Sequence, residues 1–262
     1  MDPALRAAAS GMQAQQSRIE VISNNLANVN TTGFKRSRAH FEDLLYQTEQ
    51  GATVIEGQAA ETTEAIQIGR GTRLSAVQRV ETQGTLEPTG REHDVAVEGA
   101  GYFQLETGDG TTSYTRDGSF TVTRDGTLVS THGYTVSPGI NLPVDAQRIT
   151  ISRDGVVSSE TYDGAPPQEI GRIEMVRFNN PAGLRSLGQN LLAETAASGE
   201  PIQGFADEDG FGHLIQGSLE GSNVEIVQEM VDMITAMRAY EINSKAVKSA
   251  EEMSQIANNL IQ

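Results

Sequence analysis

Apolar positions recur at helical spacing at both ends of the chain and alternate in its middle. Near the start, Leu5, Ala8, Met12, Gln15, Ile19, Ile22, Leu26 and Val29 step 3-4-3-4-3-4-3, the spacing of a coiled-coil seam with Gln15 as its one polar member. Asp2 and Pro3 supply a cap and a first-turn proline, while Gly33 offers a left-handed exit. Near the end, Ser222 and Glu225 form a capping box, and neither Pro nor Gly follows them. Residues 223–262 therefore read as one helix of roughly ten turns. Its apolar stripe turns along the way. Up to Met237 it is centred on Ile226, Met230, Ile234 and Met237; from Ala239 it is centred on Ile242, Ala246, Met253 and Leu260. At about 100° per residue the stripe swings by about a third of a turn. Propensity alone does not hold so long a helix, and one neighbour cannot bury both stripes. The simplest arrangement packs the two terminal helices on each other.

Residues 35–90 read as irregular, with one or two helical turns at Phe41, Leu44, Leu45 and Tyr46 and a polar stretch, 51–63, that is extended or mobile. Residues 93–178 alternate as short strands. Asp-Gly pairs at 109–110, 117–118, 125–126, 154–155 and 163–164 punctuate them as hairpin turns. The expected fold is α+β: long N- and C-terminal helices paired as a coiled coil, with a mainly β, barrel- or sandwich-like central domain. The expected domains are 1–34 with 222–262 as the helical pair, 35–92 with 205–221 as a connecting segment, and 93–204 as the β-rich outer domain.

Charge narrows the partners. The chain of 262 residues carries a net charge of −16. Residues 1–50 hold five acids and five bases, whereas 91–222 hold nineteen acids against eight bases. An acidic middle argues against nucleic acid and anionic membrane as partners. The absence of cysteine excludes a disulfide scaffold and thiolate metal sites. No apolar run is long enough to enter a bilayer, and the N-terminal residues do not read as a Sec signal peptide.

Candidate chemistry is sparse. Arg-Asp-Gly occurs at 116–118, 124–126 and 153–155, with spacings that fit turns rather than a calcium loop. The four histidines are isolated, and no nucleophile elbow, phosphate loop or dinucleotide fingerprint is present. No catalytic, metal or cofactor site is expected. Lys35, Arg36 and Arg38 form a basic trio that reads as a solvated face or as a match for acids of a neighbouring copy. Asn24-Asn25-Leu26 recurs as Asn258-Asn259-Leu260, which reads either as a chance repeat or as side-chain amides that set register between packed helices.

The stretches ISNNLAN at 22–28 and TGFK at 32–35 resemble the N-terminal signature of bacterial flagellar rod and hook proteins. FEDLLYQ at 41–47, IGRG at 68–71, YTRDGSF at 114–120 and RAYEINSK at 238–245 extend the likeness through most of the chain. The segment around Phe41 to Tyr46 is most similar to the distal-rod branch of this axial family. The resemblance implies a noncatalytic, homo-oligomeric subunit of a hollow helical tube, which transmits torque from motor to hook and passes exported proteins. The tube would span the periplasm in the basal body and meet the proximal rod, the hook and the ring proteins. Export by the flagellar type III route would fit the missing Sec signal. The alternatives are a proximal-rod or hook-type subunit, or an acidic cell-envelope binding module. Leu5, Met12, Ile19, Leu26, Ile226, Met230, Ile242, Met253 and Leu260 are the expected helix and assembly contacts; Asn24, Asn25, Asn28 and Asn259 are the expected register contacts.

Overall fold

The structure is a computed structural model that describes residues 3–50, 66–108, 110–143, 146, 148–161 and 166–260. The chain forms two compact units, each assembled from separated stretches. The first comprises Met1–Leu26, Ser37–Gln78 and Glu225–Gln262. Helix α1 (Pro3–Ala27) opens it and helix α2 (Ile226–Leu260) closes it. Between them run β1 (Ser37–Asp43), β2 (Tyr46–Gln50), β3 (Ile66–Gly69) and β4 (Thr72–Arg79). β1 pairs with β4 and β2 with β3, giving two ribbons of two strands each.

Residues 41–46 are therefore strand and connection rather than helical turns. A turn or two of isolated helix fixes several residues for few hydrogen bonds, whereas a ribbon gives each strand a partner at once. The polar stretch 51–63 lies outside the described residues.

α2 starts three residues later than its capping box implies. Ser222 Oγ accepts from the Val224 N–H, at 3.3 Å. The intervening Asn223 instead ties the chain to two neighbouring segments. Its Oδ1 accepts from Arg36 N at 2.7 Å, and its Nδ2 donates to the carbonyls of Val80 and Thr82, both at 2.9 Å. The helical ladder begins where Glu229 N donates to Glu225 O, at 3.0 Å.

The second unit comprises Ala27–Arg36 and Arg79–Val224 and is built of strands. In order these are β5 (Leu86–Pro88), β6 (Val95–Glu98), β7 (Tyr102–Glu106), β8 (Thr112–Thr115), β9 (Phe120–Val122) and β10 (Leu128–Ser130). Next come β11 (Thr135–Val136), β12 (Arg148–Ile151), β13 (Val156–Glu160), β14 (Gln168–Arg172) and β15 (Glu174–Arg177). β16 (Arg185–Gly188), β17 (Leu191–Ala193), β18 (Ile202–Phe205), β19 (His213–Gln216) and β20 (Ser218–Glu220) complete it.

The main sheet runs β16-β17-β8-β7-β11-β10-β9, with β15 joining β7 and carrying β18 on its far side. β12, β13 and β14 form a separate sheet, and β6 with β19 and β5 with β20 form pairs. The Asp-Gly turns at 125–126 and 154–155 close the β9–β10 and β12–β13 hairpins as expected, each Gly with φ above 80°. Asp109 and the pair at 163–164 lie outside the described residues.

The expected α+β architecture with a barrel-like centre is corrected on two counts. Among the described residues the chain is mostly β, with twenty strands and just two α-helices, because the segment read as irregular contributes β1 to β5. The centre is also not a closed barrel. Closure requires every edge to find a partner, and β16 and β9 stand at the two ends of an open path.

β7 organises the core because both its faces are covered. Phe103 and Leu105 point into the larger cluster, where Phe103 meets Phe120 edge-on at 5.0 Å. Tyr102 points the other way, into a smaller cluster with Tyr114, Val176 and Phe178. The period-2 alternation of a strand separates the two.

The Asp-Gly pair at 117–118 is not a hairpin turn. Gly118 lies against β6, its carbonyl accepting from Val95 N at 3.0 Å, and a Cβ there would sit 1.6 Å from Val95 O. Gly118→Ala is therefore expected to cost about 3 kcal/mol, at the upper end of overpacking effects. Gly108→Ala, with open space around it, serves as the control in thermal melts followed by circular dichroism.

Candidate assembly interface

Within the first unit the two helices run antiparallel. A Cβ on Gly11 would come within 2.8 Å of the Asn243 amide, Arg18 pairs with Asp232 at 3.1 Å, and Asn25 Nδ2 donates to Glu229 Oε2 at 3.1 Å. Asn25 is buried and does more than bridge the helices. Its Nδ2 also donates to Ser37 O at 2.9 Å, and its Oδ1 accepts from Ser37 N at 2.8 Å, tying the end of α1 to β1.

The seam on α2 passes through Glu229, Ala236, Asn243 and Ala250, seven residues apart, of which all but the half-buried Asn243 are buried. On α1 the buried positions are Ala14, Ile22 and Asn25. Ile22 apart, the pair thus meets through small and polar residues. Small side chains let two helices approach closely but remove little apolar surface from water.

The large apolar side chains of α2 lie on its other faces. Ile226, Met230, Ile234 and Met237 remain 47–51% exposed, and further along Ile242 and Met253 are 66% and 64% exposed. Leu5, Met12, Ile19 and Leu26 on α1 are half-buried. Asn24 and Asn259 are exposed, Asn28 is half-buried and accepts from Thr31 Oγ1, and the side chain of Leu260 lies outside the described residues. Asn259 stands thirty residues beyond Glu229, about 45 Å along the helix at 1.5 Å per residue. One chain therefore does not bring its two asparagine pairs together.

The second unit buries three charges where the segments that follow α1 and precede α2 meet. Glu220 Oε1 accepts from Lys35 Nζ at 2.5 Å and from Gly84 N at 3.0 Å, and its Oε2 accepts from Arg116 Nε at 2.6 Å. Lys35 also donates to Thr82 O at 2.9 Å, and Arg116 to the carbonyls of Val97, Gly99 and Gly101. Burial lowers the pKa of Lys35, an effect that its Glu220 partner partly offsets. Burial alone would raise that of Glu220, but the Arg116 charge and the Lys35 hydrogen bond outweigh it and hold the carboxyl below its usual range.

The basic trio is thus not one solvated face. Lys35 is buried and paired inside the chain, Arg36 is half-buried, and Arg38 is exposed. Sequence reading missed Glu220 altogether. The one available signal was that Lys35 and Arg116 sit in two of the stretches that carry the family resemblance.

A chain whose terminal helices bury small and polar residues between them and keep two large apolar stripes bare has the make-up of an axial, self-assembling structural subunit. Family models agree with that class along the chain. "Flagella basal body rod protein" matches residues 5–35, "Flagellar hook protein FlgE/F/G D1 domain" residues 96–159, and "Flagellar basal body rod FlgEFG protein C-terminal" residues 215–260. The chain is 49% identical to the flagellar basal-body rod protein FlgG of Agrobacterium fabrum, over 97% of this chain and 98% of the relative. It is 49% identical to FlgG of Borreliella burgdorferi over 98% of both chains, and 39% identical to FlgG of Bacillus subtilis over 96% of both. The chain belongs to the flagellar basal-body rod proteins of the FlgG type, and it is a structural subunit of the distal rod. No described helix is long and apolar enough to cross a membrane.

Proposed function

We propose that the subunit builds the rod by covering the bare stripes of α2 with terminal helices of neighbouring copies, closing a hollow helical tube. The observation that carries this is the exposure of Ile226, Met230, Ile234 and Met237 in the single chain. Together with Ile242, Met253 and Leu260 on α2 and Leu5, Met12, Ile19 and Leu26 on α1, they form the apolar contacts between copies. Asn24, Asn25, Asn28 and Asn259 set the register. The proposed rod spans the periplasm, joins the proximal rod to the hook, runs through the basal-body rings, transmits torque and passes exported subunits. What supports this finer reading is the family together with the two stripes, since a tube surrounds each helix with more than one neighbour.

Electron microscopy of the concentrated full-length chain tests it. Straight tubes of uniform width are expected. A chain that stays monomeric at high concentration with both helices formed would overturn the proposal.

A further inference from the structure

The bare face of α2 is rich in sulfur. The chain has seven methionines and neither cysteine nor tryptophan, so the thioethers are its main oxidisable side chains. Their exposure is uneven. Met175 is fully buried in the β core, and Met12 and Met233 are half-buried. Met230, Met237 and Met253 are 50%, 47% and 64% exposed. Met230 and Met237 stand seven residues apart, about two turns along one face, with Ile226 and Ile234 beside them. Met253 lies eleven residues beyond Ile242, about three turns further along the second stripe. Each stripe therefore carries methionine open to a dissolved oxidant.

We propose that Met230, Met237 and Met253 form an oxidation-sensitive switch, in which a peroxide converts them to sulfoxides and so blocks assembly reversibly. The inference rests on the assembly reading above. In the step itself the peroxide O–O bond breaks. One oxygen bonds to sulfur, the other leaves as water, and the sulfur loses the two electrons that the peroxide gains. The product replaces a flexible apolar thioether by a polar, chiral sulfoxide, which is costly to bury and disrupts methionine-lined contacts. Dissociated subunits present these sulfurs, whereas covered ones are shielded, so the switch acts on subunits before they join.

The test treats full-length chain below its assembly concentration with hydrogen peroxide, maps sulfoxides by peptide mass spectrometry, and measures assembly by sedimentation. Sulfoxide is expected at 230, 237 and 253, with Met175 spared. The concentration needed for assembly should rise at least about tenfold, equivalent to about 1.4 kcal/mol. Methionine sulfoxide reductases supplied with a dithiol, which is oxidised to a disulfide as the sulfoxide oxygen leaves as water, should restore it. The triple variant Met230→Leu, Met237→Leu, Met253→Leu keeps the contacts apolar, and its assembly concentration, whatever its untreated value, should not change on peroxide treatment. Unchanged assembly of the oxidised chain, or equal loss in the triple variant, would overturn the switch. In either case Ile234→Asp, which contains no sulfur chemistry, separately reports on the assembly reading: if it assembles as the parent does, that reading fails too.

Discussion

Glu220→Gln is expected to destabilise the β unit by about 3–5 kcal/mol, the range seen when one partner of a buried ion pair is removed. The carboxylate is fully buried and binds two cations and one backbone N–H. Glutamine keeps the volume but supplies no charge, and it turns an acceptor oxygen into an NH₂ that faces other donors. Lys35 and Arg116 are then left buried without their counter-charge. Replacing all three by well-packed apolar residues would cost far less, because the expense lies in stranding charge. Thermal or urea unfolding followed by circular dichroism checks this, and a melt within about 0.5 kcal/mol of the parent would sink it.

The same group governs acid stability. Glu220 titrates below its usual range in the folded chain, whereas in the unfolded chain it titrates near about 4.3. The unfolded state therefore binds the proton first as pH falls. The Glu220 contribution is complete above the unfolded value and is lost as pH drops through the folded one. The parent should lose stability steeply in that acid window, and Glu220→Gln should flatten that part of the profile. Lys35 shifts in the same sense: its lowered pKa also makes the unfolded state the better proton binder, here towards alkaline pH, so it does not drive alkaline unfolding.

Ile234→Asp is expected to abolish tube formation while leaving the single chain as stable as the parent. Ile234 is 51% exposed in the isolated subunit, so an aspartate there stays hydrated and changes stability by no more than about 0.5 kcal/mol. Once another helix covers the site, the same carboxylate must be desolvated without a partner, at a cost of several kcal/mol. Since about 4.1 kcal/mol is a thousandfold in concentration, assembly moves out of reach. Sedimentation and electron microscopy read the loss, and circular dichroism confirms that the helices persist. Tubes formed at the parent's concentration would show that this stripe is not a contact between copies.

The two stripes of α2, the short strands of the β unit and the hairpins at 125–126 and 154–155 were legible in the residues. Each is a local pattern: side chains a turn apart on a helix share a face, those two apart on a strand share a side, and Asp-Gly pre-sets a turn. The family resemblance was equally legible, since it resides in short contiguous stretches. The α1 seam was less so. Its 3-4 spacing marked Ile22, which is buried, but also Leu5, Met12, Ile19 and Leu26, which are half-buried, while contacts to α2 inside the chain run through Gly11, Arg18 and Asn25, one residue round at about 100°. Hydrophobic periodicity shows which face seeks cover without saying which neighbour supplies it.

Strand formation at 37–50 and 66–79 was hidden for a related reason. These stretches lack a strong period of their own, and their pairing depends on segments brought in from a distance. The deepest gap lay at Lys35. Read alone, it is one cation in a basic trio. It becomes a buried charge when folding brings it to Glu220, 185 residues away, and Arg116 joins from a third segment. Periodicity and motif established two long helices, a β-rich centre and the family. The open sheet, the small-residue face that the helices share and the buried charge cluster emerged only with the fold, because each joins residues far apart in the chain.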